Sequence, residues 1–322
     1  MRSNFPGGGG GNQGPRGPRH PPRDRMGGPR PSRPPEPGER RQDRPAPSRP
    51  ADAPSPVEPK RTETLRAPLA APAARPAPRP SGPAAPRGSV WLHGLHPVHA
   101  ALANPVRRLK RLLLTEEAER QLAERLPPPW PLQPERADRN KLDHLLGRDT
   151  VHQGMALLAD LLPPPSFTAV LERPGPLLVL DQVTDPRNLG AVLRSAAAFG
   201  AAGVITQDRN APEETGAMAK AASGALERIP LVRAVNLART LAALKAAGRW
   251  VVGLDASGPS LRGEALKERR VALVLGAEGA GLRRLTRETC DELAGLPMPG
   301  GMESLNVSAA AAVALYELIR AP

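Results

Sequence analysis

The chain has 322 residues, with 42 prolines, 31 glycines and a formal net charge of +13. This length allows about two domains, and the strongly basic balance favours a polyanion such as nucleic acid as the partner. A single cysteine, Cys290, excludes an internal disulfide, while no apolar run reaches the roughly 18 residues of a membrane helix. The N-terminus also lacks the apolar core of a signal peptide, so we expect a cytoplasmic protein without a membrane partner.

Residues 1–87 are predicted to form a disordered tail rich in glycine, proline and arginine. They hold 17 Lys and Arg against 7 Asp and Glu, which is +10 of the chain's +13. Such a segment has too few aliphatic side chains to offset the entropy lost on ordering. The tail is either a nonspecific RNA-binding arm held by phosphate contacts or a solubilising segment, and composition does not separate these alternatives.

Residues 88–163 are predicted to form a small α/β domain. An apolar stretch at 90–102 leads into a helix, and short strands and helices then alternate. We expect strands over 107–115 and 152–158, and helices over 116–126 and 140–146. Three histidines (His93, His96 and His99) lack a cysteine or acidic partner at ligand spacing, so packing is favoured over metal binding and no metal site is predicted. Residues 164–174 are predicted to be a linker.

Residues 175–322 alternate strands with helices, which predicts a parallel sheet covered on both faces. We predict strands at 177–180, 203–206, 229–232, 250–254 and 271–275, and a short one near 296–298. The intervening helices are predicted at 191–199, 213–223 and 237–247. Asn188 is a candidate N-cap of the first of these helices, and Gly200 is expected to end it.

Two glycine-rich turns, 276–281 and 300–308, each follow a predicted strand. Glycine lets the backbone approach a ligand closely, and ligands bind at strand ends in open α/β sheets. The turns match neither the Gly-x-Gly-x-x-Gly dinucleotide fingerprint nor a phosphate-binding loop with Lys-Ser/Thr. Cys290 has no adjacent base to activate it. The turns therefore indicate a small-molecule site of another kind.

Four polar side chains are candidates for this site. Arg194 has only glycine and alanine three and four residues away on its helix, so it is either an outward-reaching site residue or an ordinary solvated arginine. Glu278 lies in the first glycine turn and is either a helix-start residue or a site residue. Ser304 and Asn306 precede the last helix and suit either capping or the site.

Three segments together are more specific than any one alone. They are Asp-Pro-Arg-Asn-Leu-Gly-Ala-Val-Leu-Arg at 185–194, Leu-Gly-Ala-Glu-Gly-Ala-Gly-Leu at 275–282, and Pro-Met-Pro followed by Ser-Leu-Asn-Val-Ser within 297–308. They resemble the three signature motifs of the SpoU family of RNA ribose 2′-O-methyltransferases, across 175–322. Residues 89–160 resemble the small RNA-binding domain of the branch that methylates a guanosine of large-subunit rRNA.

The resemblance implies a SPOUT fold, in which the C-terminal segment threads a loop to form a deep trefoil knot, a rare exception among chain topologies. It also implies S-adenosylmethionine as methyl donor, no metal, 23S rRNA as substrate, and a homodimer with the final helix in its interface. The implied cofactor-binding residues are Gly276, Leu296, Leu305, Leu275 and Met298.

The implied reaction moves a methyl group from a sulfonium to a ribose 2′-hydroxyl, so the nucleophile must be positioned and must lose its proton. The implied catalytic residues are Arg194, Asn188, Glu278, Ser304 and Asn306. Arginine is a poor base, and we expect Arg194 to clamp a phosphate while the two asparagines hold the ribose and the loops. The identity of the proton acceptor stays open. The alternatives are a tRNA ribose methyltransferase and a catalytically silent RNA-binding protein of the same fold.

Overall fold

The computed structural model describes residues 85–320, so nearly all of the predicted tail lies outside the described residues. The elements alternate along the chain as a sequence of short strands and helices. In order they are β1 Ser89–His93, α1 Leu95–Ala103, β2 Leu109–Leu114, α2 Glu116–Arg125, β3 Pro134–Arg136, α3 Arg139–Leu146, β4 Met155–Asp160, α4 Phe167–Glu172, β5 Leu177–Leu180, α5 Pro186–Ala198, β6 Gly203–Gln207, α6 Gly216–Ala222, a 3₁₀ turn Ala225–Glu227, β7 Leu231–Ala234, α7 Leu237–Ala246, β8 Arg249–Leu254, α8 Gly263–Leu266, β9 Arg270–Leu275, α9 Arg284–Thr289, β10 Glu292–Ala294 and α10 Val307–Arg320.

The first four strands form a sheet in the order β1-β4-β2-β3, which we call, with its helices, the small lobe (residues 89–160). β4 runs antiparallel to β1 and β2, whereas β3 is parallel to β2. Buried side chains of α1 and α2 belong to one hydrophobic cluster and those of α3 to another. The helices therefore cover both faces of this sheet.

The other six strands form a wholly parallel sheet in the order β10-β8-β9-β5-β6-β7, which we call, with its helices, the large lobe (residues 177–320). Buried side chains of α5, α6 and α10 belong to one hydrophobic cluster, and those of α7 to a second. The parallel α/β sheet predicted from the sequence is thus confirmed. Leu180 pairs with Leu275, so the carboxyl ends of β5 and β9 meet side by side.

The structure corrects two local predictions. The short strand is not at 296–298 but at β10, Glu292–Ala294; the later segment contains Pro297, which cannot donate to a ladder. Helix α5 begins at Pro186 and is capped by Asp185, whose carboxylate accepts a hydrogen bond from the amide of Arg187 at 2.8 Å, so Asn188 is not the cap. A first-turn proline suits this earlier start. The segment 164–174, predicted to be a linker, contains helix α4, and its role as a linker stays a prediction.

Chain segments pass very close together beneath α10. A Cβ added at Gly263 would lie 2.0 Å from the carbonyl oxygen of Glu317, so only glycine fits there. Close passage of this kind is what the predicted knot requires, and the threading itself stays a prediction. Within residues 85–320, no helix combines the length and apolar character needed to cross a membrane.

Candidate active site

A pocket of about 320 Å³ lies at the carboxyl ends of β8 and β9, against the start of α10. It is lined by the glycine turn at 276–281, the loop after β10 and residues 303–305. All five residues predicted to bind the cofactor line this pocket: Leu275, Gly276, Leu296, Met298 and Leu305. The structure therefore brings them together, and their role in binding stays a prediction.

Gly276 is a glycine for a reason that the sequence did not indicate. A Cβ at this position would lie 2.1 Å from the carbonyl carbon of Gly281. The turn closes on itself, because the amide of Gly281 donates to the carbonyl of Ala277 at 2.9 Å. The packing of the turn's own backbone thus demands glycine at 276, independently of any ligand.

Three of the predicted catalytic residues form one hydrogen-bonded cluster at the edge of the pocket. The side-chain amide of Asn306 donates to Glu278 Oε1 at 2.6 Å and to Asn188 Oδ1 at 3.1 Å, and that of Asn188 donates to the same Glu278 oxygen at 3.4 Å. The amide of Val307 donates to it as well, at 3.2 Å. Glu278 therefore ties the glycine turn to α5 and to the first residue of α10. Ser304 lines the pocket beside it.

Asn306 also acts as a helix cap. Its Oδ1 accepts hydrogen bonds from the backbone amide of Ser308 at 2.9 Å and from the hydroxyl of Ser308 at 2.5 Å. Capping satisfies an amide that α10 would otherwise leave unpaired. Asn306 can therefore cap α10 through its Oδ1 and join the site cluster through its side-chain amide nitrogen at the same time.

Sequence reasoning missed a buried ion pair that supports the glycine turn from the other side. Asp181, which follows β5, is fully buried, and its carboxylate accepts from Arg283 Nε at 2.6 Å and from the amide of Arg283 at 3.1 Å. Its own amide donates to the carbonyl of Leu275 at 2.8 Å. The signal available in the sequence was an aspartate directly after a wholly apolar strand, a placement that requires a partner.

The pocket combines carboxylates with apolar side chains. Asp255, Glu278 and Glu303 line it. The pKa of Asp255 is lowered, chiefly by the hydrogen bond from Ser257 and also by the charge of Arg287, so its carboxylate is ionised at neutral pH. Together with the backbone of the glycine turn and the three apolar residues 296, 298 and 305, these groups fit a cationic ligand with an apolar portion, as S-adenosylmethionine is.

His93 of the small lobe serves packing. Burial lowers the pKa of His93 to about 4, and the charge of Lys220 adds to this effect. In the described part of the chain, no group of three or more His, Cys, Asp or Glu side chains is placed to hold a metal ion.

Arg194 lies apart from the other predicted catalytic residues. It stands six residues beyond Asn188 on α5, about 9 Å further along the helix axis, and it is exposed. It lines a second cavity, of about 580 Å³, between the two lobes rather than the glycine-turn pocket. A single chain therefore does not bring Arg194 to the cluster of Asn188, Glu278 and Asn306.

Comparison with known proteins matches this architecture. A model of the SpoU rRNA methylase family matches residues 175–316, and one described as RNA 2′-O ribose methyltransferase substrate binding matches residues 91–165. The 23S rRNA (guanosine-2′-O-)-methyltransferase RlmB of Escherichia coli is 38% identical over 245 residues, covering 72% of this chain and 98% of that protein. The enzyme of the same name from Ralstonia nicotianae is 47% identical over 189 residues, covering 57% of this chain and 75% of that protein.

A solved structure of an rRNA methyltransferase has a fold similar to that of this chain. The AdoMet-bound rRNA methyltransferase from Sinorhizobium meliloti superposes with a TM-score of 0.57 at 26% identity, covering 72% of this chain and 87% of that one. The fold and the site thus define a ribose methyltransferase architecture preceded by a substrate-binding module. The chain belongs to the SpoU rRNA methylase family.

Proposed function

We propose that this protein is an S-adenosylmethionine-dependent RNA methyltransferase that modifies the ribose 2′-hydroxyl of a guanosine in 23S rRNA. The proposal rests on the match to the 23S rRNA (guanosine-2′-O-)-methyltransferase RlmB of Escherichia coli. The match covers 98% of that enzyme and includes both lobes of this chain. The AdoMet-bound relative supports the cofactor. A cytoplasmic location, expected from the single cysteine, belongs to the same proposal.

The chain's own residues would hold the methyl donor in the glycine-turn pocket. Leu296, Met298 and Leu305 offer apolar contacts, and the turn beginning at Gly276 offers backbone groups. Asp255 is already paired with Arg287 at 2.9 Å, so the acidic groups that would attract a cation in the pocket are Glu278 and Glu303. When bound, S-adenosylmethionine supplies an activated methyl group on a positively charged sulfur.

The hydrogen-bonded cluster would position the ribose. Glu278 fixes the side-chain orientations of Asn188 and Asn306 through one carboxylate oxygen, and Ser304 would add a hydroxyl at the rim. Holding the 2′-hydroxyl near the methyl group lowers the barrier by as much as about 7–11 kcal/mol. Arg194 would grip a neighbouring phosphate through its planar fork and would not serve as a free base, because arginine is a poor base.

A homodimer explains how Arg194 reaches the reaction. Val313, Tyr316 and Ile319 expose apolar surface on α10, and Phe199 at the end of α5 packs against Tyr316 with ring centroids 6.2 Å apart. A second copy covering this face would bury that surface. We propose that each glycine-turn pocket then works with Arg194 of the partner subunit.

A methyl-transfer assay with radiolabelled S-adenosylmethionine tests the function. Label should enter 23S rRNA transcripts and be absent from tRNA; label in tRNA alone would favour the tRNA alternative, and no label in either would favour a silent RNA-binding protein. Arg194→Ala and Glu278→Gln should each abolish transfer. If the site is shared between subunits, mixing the two inactive variants should restore about a quarter of the parent rate, since one of the two sites in each mixed dimer is intact. No recovery on mixing would contradict the shared site alone.

A further inference from the structure

The cavity between the lobes is a second site that the glycine-turn pocket does not account for. Its volume is about 580 Å³, within the range of about 300–1,000 Å³ typical of ligand sites. One wall comes from α1 of the small lobe, and the other from α5 and the segment 222–228 of the large lobe. Much of its floor consists of alanine and glycine, which lets a bulky ligand approach both walls.

The accessible charge in this cavity is positive. Arg194 and Arg228 are both exposed on its wall. Its one acidic lining residue, Glu227, has a side chain only 5% exposed, and it is paired with Arg107 at 3.0 Å and accepts from Asn104 at 2.7 Å. The carboxylate is thus buried within an ion cluster, whereas the two arginines are exposed and free to meet an anion.

The ring of His96 lies in the same positive surroundings. Its pKa is lowered, first by burial and then by the charges of Arg125, Arg194, Lys220 and His99. Several cationic groups from both lobes therefore act on one point of the cavity. A polyanion entering there would relieve their mutual repulsion.

The cavity also offers flat groups that suit an unpaired base. His96 and His99 present imidazole rings from α1, and histidine rings and arginine planes both stack on splayed RNA bases. Arginine additionally grips phosphate at two points. Phosphate-binding forks beside stacking rings are the combination that single-stranded RNA requires.

We propose that the cavity binds an unpaired nucleotide of the RNA substrate, distinct from the nucleotide that is methylated, with its phosphate on Arg228 and its base against His96 and His99. The proposal rests on the proposed function, because it makes the cavity a second contact with the same RNA. It gives the small lobe a defined task, which is to form one wall of the site for a flanking nucleotide.

Charge reversal at the cavity tests the proposal against a matched control. Arg228→Glu removes the phosphate contact. Arg239→Glu makes the same charge change on α7, which packs on the other face of the large sheet. In steady-state methylation of 23S rRNA transcript, we expect Arg228→Glu to raise the KM for RNA about tenfold or more, while Arg239→Glu stays within about twofold. The slope of log affinity against log salt should fall by about 1 in Arg228→Glu.

A binding experiment without catalysis separates this proposal from the function. Adding a single-stranded oligouridylate of about 8 nucleotides should shift the ring-proton NMR signals of His96 and His99. It should also raise the pKa of His96, because phosphate opposes the positive charges that lower it. His99→Ala should weaken this binding while leaving affinity for S-adenosylmethionine unchanged. If Arg228→Glu and Arg239→Glu changed the KM for RNA equally, while the parent protein methylates 23S rRNA, the result would overturn nucleotide binding in the cavity. The proposed function would still stand. Absent shifts at both histidines would overturn nucleotide binding in the cavity as well.

Discussion

Replacing Arg107 should uncouple the two lobes. Its guanidinium is fully buried and pairs with both Glu214 and Glu227 of the large lobe, the latter at 3.0 Å. It also donates to the carbonyl of Asp160 in the small lobe at 3.0 Å. Glu214 in turn accepts from the amide of Leu162, between the lobes, at 3.2 Å. This ion cluster therefore fastens the small lobe to the large one.

The magnitude follows from what Arg107→Met leaves behind. Two carboxylates with side chains only 11% and 5% exposed would lose their cation. Breaking a buried pair by removing one partner costs about 3–5 kcal/mol, a large share of the roughly 5–15 kcal/mol that holds a domain folded. Urea unfolding should show a loss of this size. Arg139→Met is the control, because its pair with Glu117 spans 3.6 Å at the surface, and it should change stability by less than about 0.5 kcal/mol.

The loss should also depend on pH. Burial raises the pKa of Glu227, and Arg107 opposes that rise, so removing the arginine raises the folded-state pKa further. A raised folded-state pKa means that the deficit is full above that pKa and shrinks as the pH falls toward the ordinary glutamate value. A deficit under about 1 kcal/mol, or one unchanged between neutral and acidic pH, would refute the view that Arg107 neutralises buried carboxylates.

Three further outcomes are expected. Gly276→Ala should abolish binding of S-adenosylmethionine in calorimetry and lower Tm, because the added Cβ would lie 2.1 Å from Gly281. The control Gly279→Ala has open space around its Cβ but a φ of 81°, and it should lower the free energy of unfolding by only about 1–2 kcal/mol. Equal effects of the two variants would contradict the steric argument. Burial raises the pKa of Cys290 to about 11. At pH 8 it should therefore carry about a hundredfold less thiolate than an ordinary cysteine and react slowly with iodoacetamide. Fast alkylation would show that the thiol is accessible. Removing residues 1–84 should leave Tm unchanged and weaken RNA binding mainly at low salt; a fall in Tm would show that the tail contributes to folding.

The sequence predicts most of the large sheet because its central strands, such as β5 and β9, are short apolar runs between helices. The four residues of β5 match the prediction, and Gly200 takes a positive φ of 66° after α5, as expected of a residue that ends a helix. The predicted start of α5 was wrong because two nearby residues can both cap a helix. Asp185 caps α5 in the structure, whereas Asn188 lies inside the helix. β3, only three residues long, has no periodicity to detect.

Parts of the site could not be read from the sequence, because long-range pairs create them. Asp181 meets Arg283, 102 residues away, only because β5 and β9 are neighbours in the sheet. The cluster of Asn188, Glu278 and Asn306 was recognisable by resemblance to a family, but its hydrogen bonds follow from three chain segments meeting at one sheet edge. The separation of Arg194 from that cluster had no signal in the sequence, since spacing along a helix does not tell which cavity a side chain enters.

Glu227 links the stability of the protein to the shape of its interlobe cavity. The same carboxylate lines the cavity and belongs to the ion cluster around Arg107. Without a partner it would repel the phosphate that we propose to bind there; its pairing with Arg107 and Asn104 weakens its opposition to the charges of Arg194 and Arg228. A cation buried between the lobes thus has two consequences, because it ties the cavity walls together and offsets part of the negative charge on one of them. Evolution of such a cluster is easier to explain by the demands of a rigid, positive cavity than by stability alone, since well-packed apolar side chains often stabilise a buried position as well as an ion pair does.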